Sequence, residues 1–225
     1  MARGRRISRI KLMPPSPEQR EKYLLEWSAK MLREDILNMP KLASKSLFNK
    51  RGSPLFVEIG PGSGEYLCAL AEDNPDQHFL GIEASKKGAY FAVYLAAKKS
   101  LNNLKIIKAN FLLLNELFEP NTWQQLYLHF PDPVHKRKDE KRRIFTIAFL
   151  DQMAEVLKEN GQISVVSDDI DFFFAMRQIA SDHAAFRFTH LDREWIEFSP
   201  NPKSRFQKFW EKKGIFPKRF IIERV

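Results

Sequence analysis

Cysteine is nearly absent from this chain: among 225 residues, Cys68 stands alone. A single thiol excludes an internal disulfide and a thiolate zinc site, and its setting in Leu67-Cys68-Ala69-Leu70 reads as a small buried hydrophobe. The five histidines, at 78, 129, 135, 183 and 190, lack metal-ligand spacing, so no metal is expected. Long apolar runs are missing too. None approaches the roughly 18 residues that a membrane span requires, and no apolar segment follows the basic start Met1-Ala2-Arg3-Gly4-Arg5-Arg6, which argues against a secretory signal. The expectation is a cytoplasmic protein, monomer or homodimer, that acts away from membranes.

Negative charge is the other scarcity. Twenty-eight acidic residues face 37 basic ones, a formal net charge of +9, which predicts attraction to a polyanion such as nucleic acid. The excess is clustered. Arg3, Arg5, Arg6, Arg9 and Lys11 form an N-terminal arm, and a second cluster runs from His135 through Lys136, Arg137 and Lys138 to Lys141, Arg142 and Arg143. A third holds Lys203, Arg205, Lys208, Lys212, Lys213, Lys218 and Arg219. Any one such run is often just a solvated face; three on one small chain point to RNA or DNA.

With 44% hydrophobic residues the chain can bury one sizeable core. Residues 1–54 read as an appendage: a basic arm, a helix over 18–37 with Tyr23, Leu24, Trp27, Met31 and Leu32 at helical spacing, and a polar linker between Pro40 and Pro54. From Leu55 the pattern alternates. Strands are expected at 55–59, 78–83, 104–109, 123–129 and 162–167, with helices at 64–73, 87–99, near 112–118, 143–158 and 171–183. Such alternation implies βαβ units, hence an α/β fold with a mostly parallel sheet, helices on both faces and ligands at the strand C-termini.

Each strand end presents a polar group. The first leads into Phe56-Val57-Glu58-Ile59-Gly60-Pro61-Gly62-Ser63-Gly64, where alternate glycines let backbone approach a ligand. Without a ligand, this would be only a loop of left-handed residues. The second ends at Gly81-Ile82-Glu83, where a carboxylate can bind a ribose hydroxyl pair. The G-x-G-x-G spacing differs from the dinucleotide pattern, and Glu58 suits a cationic ligand such as S-adenosylmethionine better than a pyrophosphate. Asn110 can hydrogen-bond an adenine edge. In Phe130-Pro131-Asp132-Pro133, two prolines stiffen the backbone around one carboxylate just before the basic run.

These motifs, with Ser167-Asp168 and Pro202-Lys203-Ser204-Arg205-Phe206-Gln207, resemble the bacterial tRNA (guanine-N7-)-methyltransferase family over residues 55–225. The resemblance implies a Rossmann-like class I methyltransferase fold with a seven-stranded sheet, S-adenosylmethionine as cofactor, and methylation of a guanine in the tRNA variable loop. It assigns Glu58, Gly60, Gly62, Gly64, Glu83, Asn110 and Asp132 to the cofactor, with Asp132 also catalytic. Lys136, Arg137, Asp168, Ser204, Arg205 and Gln207 fall to the substrate. Three positions depart from the family pattern: Asn110 replaces an aspartate, Val134 a tryptophan, and Ser204-Arg205-Phe206-Gln207 a Thr-x-Phe-Glu. Two alternatives remain open: a non-catalytic RNA-binding relative, and a nucleotide-dependent enzyme acting on another substrate.

Overall fold

The computed structural model describes residues 13–49, 53–134 and 143–225. The sheet has nine strands among these residues, in the order β1-β4-β3-β2-β5-β6-β9-β7, with β8 paired to β9. The strands are β1 (Leu24–Glu26), β2 (Leu55–Ile59), β3 (His78–Glu83), β4 (Leu104–Lys108), β5 (Trp123–His129), β6 (Leu157–Ser167), β7 (Phe186–Phe188), β8 (Ile196–Glu197) and β9 (Lys218–Arg224). Strands β1 to β6 run parallel, and β9 is antiparallel to β6, β7 and β8. The chain steps outward from β2 to β3 and β4, then returns to the other side of β2 as β5. That reversal opens a crevice at the C-terminal ends of β2 and β5.

The expected seven strands are thus two too few, because β1 and β8 are short edge additions. The single helix expected over 18–37 is also corrected. It divides into α1 (Pro17–Tyr23), β1 and α2 (Ala29–Glu34). Leu24, Leu25 and Glu26 pair with Ile106, Ile107 and Lys108, so the exposed edge of β4 gains backbone partners that a continuous helix could not provide. Ser28 then restarts the helix by accepting from the Met31 amide at 3.1 Å. This segment is no appendage to the core. Trp27, Leu32, Leu42 and Leu47 are buried against the sheet, and Trp123 Nε1 donates to the Leu42 carbonyl at 2.9 Å.

Two apolar layers sandwich the sheet. On one face, Val57, Ile59, Leu126, Leu128, Ile163 and Val165 pack under α6 (Ile147–Val156) and α7 (Ile170–Ser181). On the other, Leu67 and Cys68 of α4 (Glu65–Asp73) and Ala89, Ala92, Val93 and Ala96 of α5 (Lys86–Lys98) cover Phe79, Leu104 and Ile106. Alternating side chains along each strand supply both layers. The remaining helices are α3 (Ser44–Phe48) and α8 (Arg205–Glu211). The short helix expected near 112–118 is a pair of 3₁₀ turns, Phe111–Leu113 and Asn115–Leu117.

Candidate active site

The sequence-predicted polar ends lie in one row. Read across the sheet, the parallel strands β4, β3, β2, β5 and β6 end beside Asn110, Glu83, Glu58, Asp132 and Asp168 respectively. At about 4.8 Å per strand the row spans about 19 Å, the length of a nucleoside cofactor with a base beside it.

The glycine turn forms the floor. Gly60 donates to the Ile82 carbonyl at 2.8 Å, and the Gly64 amide closes onto the Pro61 carbonyl at 2.9 Å. Gly60 and Gly62 have φ of +74° and +57°, and a Cβ at either would meet no atom within 4 Å, so the bare backbone faces open space. Gly64 differs. With φ of +77°, its missing Cβ would lie 2.8 Å from Ala92 Cβ, so this glycine lets α4 pack on α5 and faces away from the crevice.

Glu83 braces the turn. Its Oε2 accepts from the Gly62 amide at 2.9 Å and its Oε1 from the Ser85 amide at 2.7 Å. Burial raises its pKa, and those two amides oppose the rise. Each oxygen keeps a second lone pair for a hydroxyl. Asn110 is exposed and caps a 3₁₀ turn, its Oδ1 accepting from the Leu112 amide at 3.2 Å.

Across the crevice, the Asp132 loop is held in an uncommon shape. Phe130 and Val134 take φ of +55° and +47°, a left-handed region unfavourable to a β-branched residue. The Phe130 amide donates to the Val166 carbonyl at 2.8 Å, and its ring packs on Phe206 at 4.9 Å. Pro131 and Pro133 are buried while Asp132 is exposed between them. Asp132 Oδ1 accepts from the Val134 amide at 3.1 Å, and Arg143 Nε reaches the Pro133 carbonyl at 3.1 Å. The loop therefore presents one oriented carboxylate on rigid backbone. Lys136 and Arg137, which follow it, lie outside the described residues.

Asp168, half-buried, follows the last residue of β6 and precedes Asp169, which caps α7 by accepting from the Phe172 amide at 2.9 Å. The Ser204–Gln207 stretch comes back to the glycine turn: Arg205 Nε lies 3.2 Å from Glu65 Oε1, joining the N-termini of α8 and α4. Ser204 caps α8 by accepting from the Gln207 amide at 3.1 Å. Gln207 is 1% exposed, and its Nε2 donates to the Phe198 carbonyl and to Glu211 Oε1, both at 2.9 Å. The Gln207 side chain thus turns inward between the Phe198 loop and α8.

Beneath the crevice lies a buried polar group not anticipated from sequence. Tyr127 and His129 alternate with Leu126 and Leu128 on β5, so they face α4. His129 Nδ1 is 4.0 Å from Glu58 Oε1, and His129 Nε2 is 3.1 Å from Ser164 Oγ. The Tyr66 and Phe198 rings each lie 4.8 Å from the imidazole. Burial, then Glu83 and Glu65, push Glu58 up to about 8; burial, then Arg219, hold His129 down at about 3. The pair is therefore neutral, not an ion pair. Glu58 Oε2 has no hydrogen-bond partner among the described residues. Beside this cluster, Tyr66, Asp73, Glu197, Ser199, Asn201 and Arg219 line a cleft of about 470 Å³. Alternation of polar with apolar residues on β5 was the available signal.

The residue set fits a cationic nucleoside: bare glycine backbone, an acid braced for a hydroxyl pair, an amide at the far end and a buried carboxyl with one oxygen left without a hydrogen-bond partner. Fold and crevice define a class, the Rossmann-like methyltransferases. Among solved structures, the 16S rRNA methyltransferase KamB superposes with TM-score 0.58 at 15% identity, over 82% of this chain and 95% of that one. An Aquifex aeolicus SAM-dependent methyltransferase superposes with TM-score 0.53 at 13% identity, over 93% and 94%. The family described as putative methyltransferase matches residues 52–216. A Rubrobacter xylanophilus tRNA (guanine-N(7)-)-methyltransferase is 36% identical over 98% of both chains, and one from Chloroherpeton thalassium is 34% identical over 98% of this chain and 97% of its own. The chain belongs to the tRNA (guanine-N(7)-)-methyltransferase family. No helix among the described residues is long and apolar enough to cross a membrane.

Proposed function

We propose that this protein transfers a methyl group from S-adenosylmethionine to N7 of a guanine in the variable loop of tRNA, in the cytoplasm. The observation that carries this is adjacency: β2, which ends in the glycine turn, pairs with β5, which ends in the Asp132 loop. A cofactor lying on the turn and a base lying against Asp132 would therefore meet. The full-length similarity to named tRNA methyltransferases supports the same reading.

The cofactor, when bound, supplies a methyl group made electrophilic by its sulfonium. Glu83 would accept from ribose hydroxyls, Asn110 would bond the adenine edge, and Glu58 lies below the glycine turn to receive positive charge. Guanine N7 carries an in-plane lone pair and no proton, so transfer requires alignment and field in place of a general base. As the methyl group moves, positive charge develops on the base. The exposed, oriented carboxylate of Asp132 stabilises it there.

The other residues position the RNA. Lys136 and Arg137 serve as phosphate contacts, which orient a nucleic acid without reading its sequence. Asp168, Ser204 and Arg205 flank the base side of the row. Gln207 acts from below as a positioning residue, holding the Phe198 loop against α8. The test is to incubate purified protein and methyl donor with unmethylated tRNA, then map the product by mass spectrometry and N7-specific chain cleavage. Methylation at N7 of one variable-loop guanine is the expected result. No incorporation, or a different atom, overturns it.

A further inference from the structure

Beyond the crevice, one surface sets exposed rings beside cations. Phe174 on α7 is 37% exposed and meets Trp195, 43% exposed, edge to face at 6.3 Å between centroids. Lys218 Nζ stands 4.9 Å from the centre of the Trp195 ring. Next to it, the Arg177 guanidinium lies 4.0 Å over Phe188, and Arg177, Phe188, Arg193 and Trp195 line one shallow cleft. Ile170, 45% exposed, extends the apolar strip toward the start of α7. Rings left in water at this density mark an interaction surface.

Its position matters as much as its composition. Lys218 pairs across the sheet with Ser167, the residue before Asp168, and Glu197 pairs in turn with Lys218. The aromatic surface thus begins at the β6 end of the polar row and continues away from the cofactor turn. Glu194 lines the same cleft as Arg177 and Arg193, so it is no phosphate groove. Rings backed by a few cations favour the flat face of an unstacked base, with a lesser contribution from charge.

We propose that Trp195, with Phe174 and Lys218, forms a stacking platform for an unpaired nucleotide of the RNA substrate adjacent to the target guanine. The proposal rests on the function above for its substrate, but it is read by binding alone. It explains how a target base can be presented singly: a neighbour is drawn out of the stack and held on the indole, and single-stranded RNA is commonly recognised in this way. A stacked base changes affinity by about five- to a hundredfold.

The test titrates unmethylated tRNA into wild-type protein, Trp195→Phe, Trp195→Ala and Phe174→Ala, following tryptophan emission and dissociation constants. The wild-type minus Trp195→Phe emission isolates Trp195, because the other tryptophans are common to both. Expected are RNA-induced quenching of that difference signal, affinity within about twofold for Trp195→Phe, and at least a fivefold loss for Trp195→Ala. An unaltered S-adenosylmethionine affinity shows that the variants are folded. Trp195→Ala affinity within twofold of wild type, or equal quenching by inorganic polyphosphate, overturns the platform. Guanine methylation by the wild type then stands or falls separately.

Discussion

Glu58 and His129 sit with Oε1 and Nδ1 4.0 Å apart, both side chains buried beneath the glycine turn. Burial keeps the first protonated, at about 8, and the second neutral, at about 3. This pair is therefore uncharged at neutral pH and carries one proton available for release.

This pair should shape stability against pH. Glu58 has a folded-state pKa above its unfolded value of 4.5, so its contribution is complete below that value and is lost as pH rises through about 8. His129 is depressed, so its contribution is present above 6.5 and lost as pH falls toward about 3. Denaturation of Glu58→Gln should therefore show a flatter profile between pH 4.5 and 8 than wild type, by roughly a few kcal/mol. Parallel profiles would remove Glu58 as the source.

A cationic cofactor should draw that proton off. Calorimetric titration with S-adenosylmethionine at pH 7 in two buffers of different ionisation enthalpy is expected to show net proton release, and Glu58→Gln should abolish it. Enthalpies that agree between buffers for the wild type would sink the idea.

The glycines should separate by role. Gly62→Ala strains a left-handed position by about 1 kcal/mol and fills open crevice, so cofactor affinity should fall more than stability. Gly64→Ala adds a clash with Ala92 between two helices, so thermal stability should fall more, by about 2 kcal/mol or beyond. The reverse order in paired melting and binding measurements would refute this division.

Asp132 is exposed, so Asp132→Asn should fold normally with cofactor affinity within a few-fold of wild type. If its charge stabilises the reacting base, single-turnover methyl transfer should drop by about 10² or more. An unchanged rate would remove Asp132 from the chemistry.

Neutralising Lys136 and Arg137 together should weaken tRNA binding and lower the slope of log affinity against log salt by roughly one to two units, while cofactor affinity holds. Loss of both affinities would indicate misfolding in place of lost phosphate contacts.

Much of this molecule can be read along the chain. Strands 55–59, 78–83 and 123–129 follow directly from apolar runs closed by glycine, acid or proline, because those signals are local. The row of Glu58, Glu83, Asn110, Asp132 and Asp168 follows next, since parallel strands place their ends on one edge. Residues 18–37 resisted. Their helical spacing is real, but Leu24–Glu26 is decided by the open edge of β4, roughly 80 residues away in sequence, which no local pattern encodes.

By itself, the sequence determined the alternation of strands and helices, the glycine turn, the Asp132 loop and the basic excess. These depend on backbone freedom, residue period and charge, properties carried by neighbours in the chain. Only the tertiary structure decided that Gly64 serves helix packing, that Gln207 turns inward to Phe198 and Glu211, that Glu58 and His129 are neutral partners, and that Trp195 stands beside Phe174 and Lys218. Each depends on burial and on contacts between distant segments, because a side chain's environment is set by what the fold packs against it.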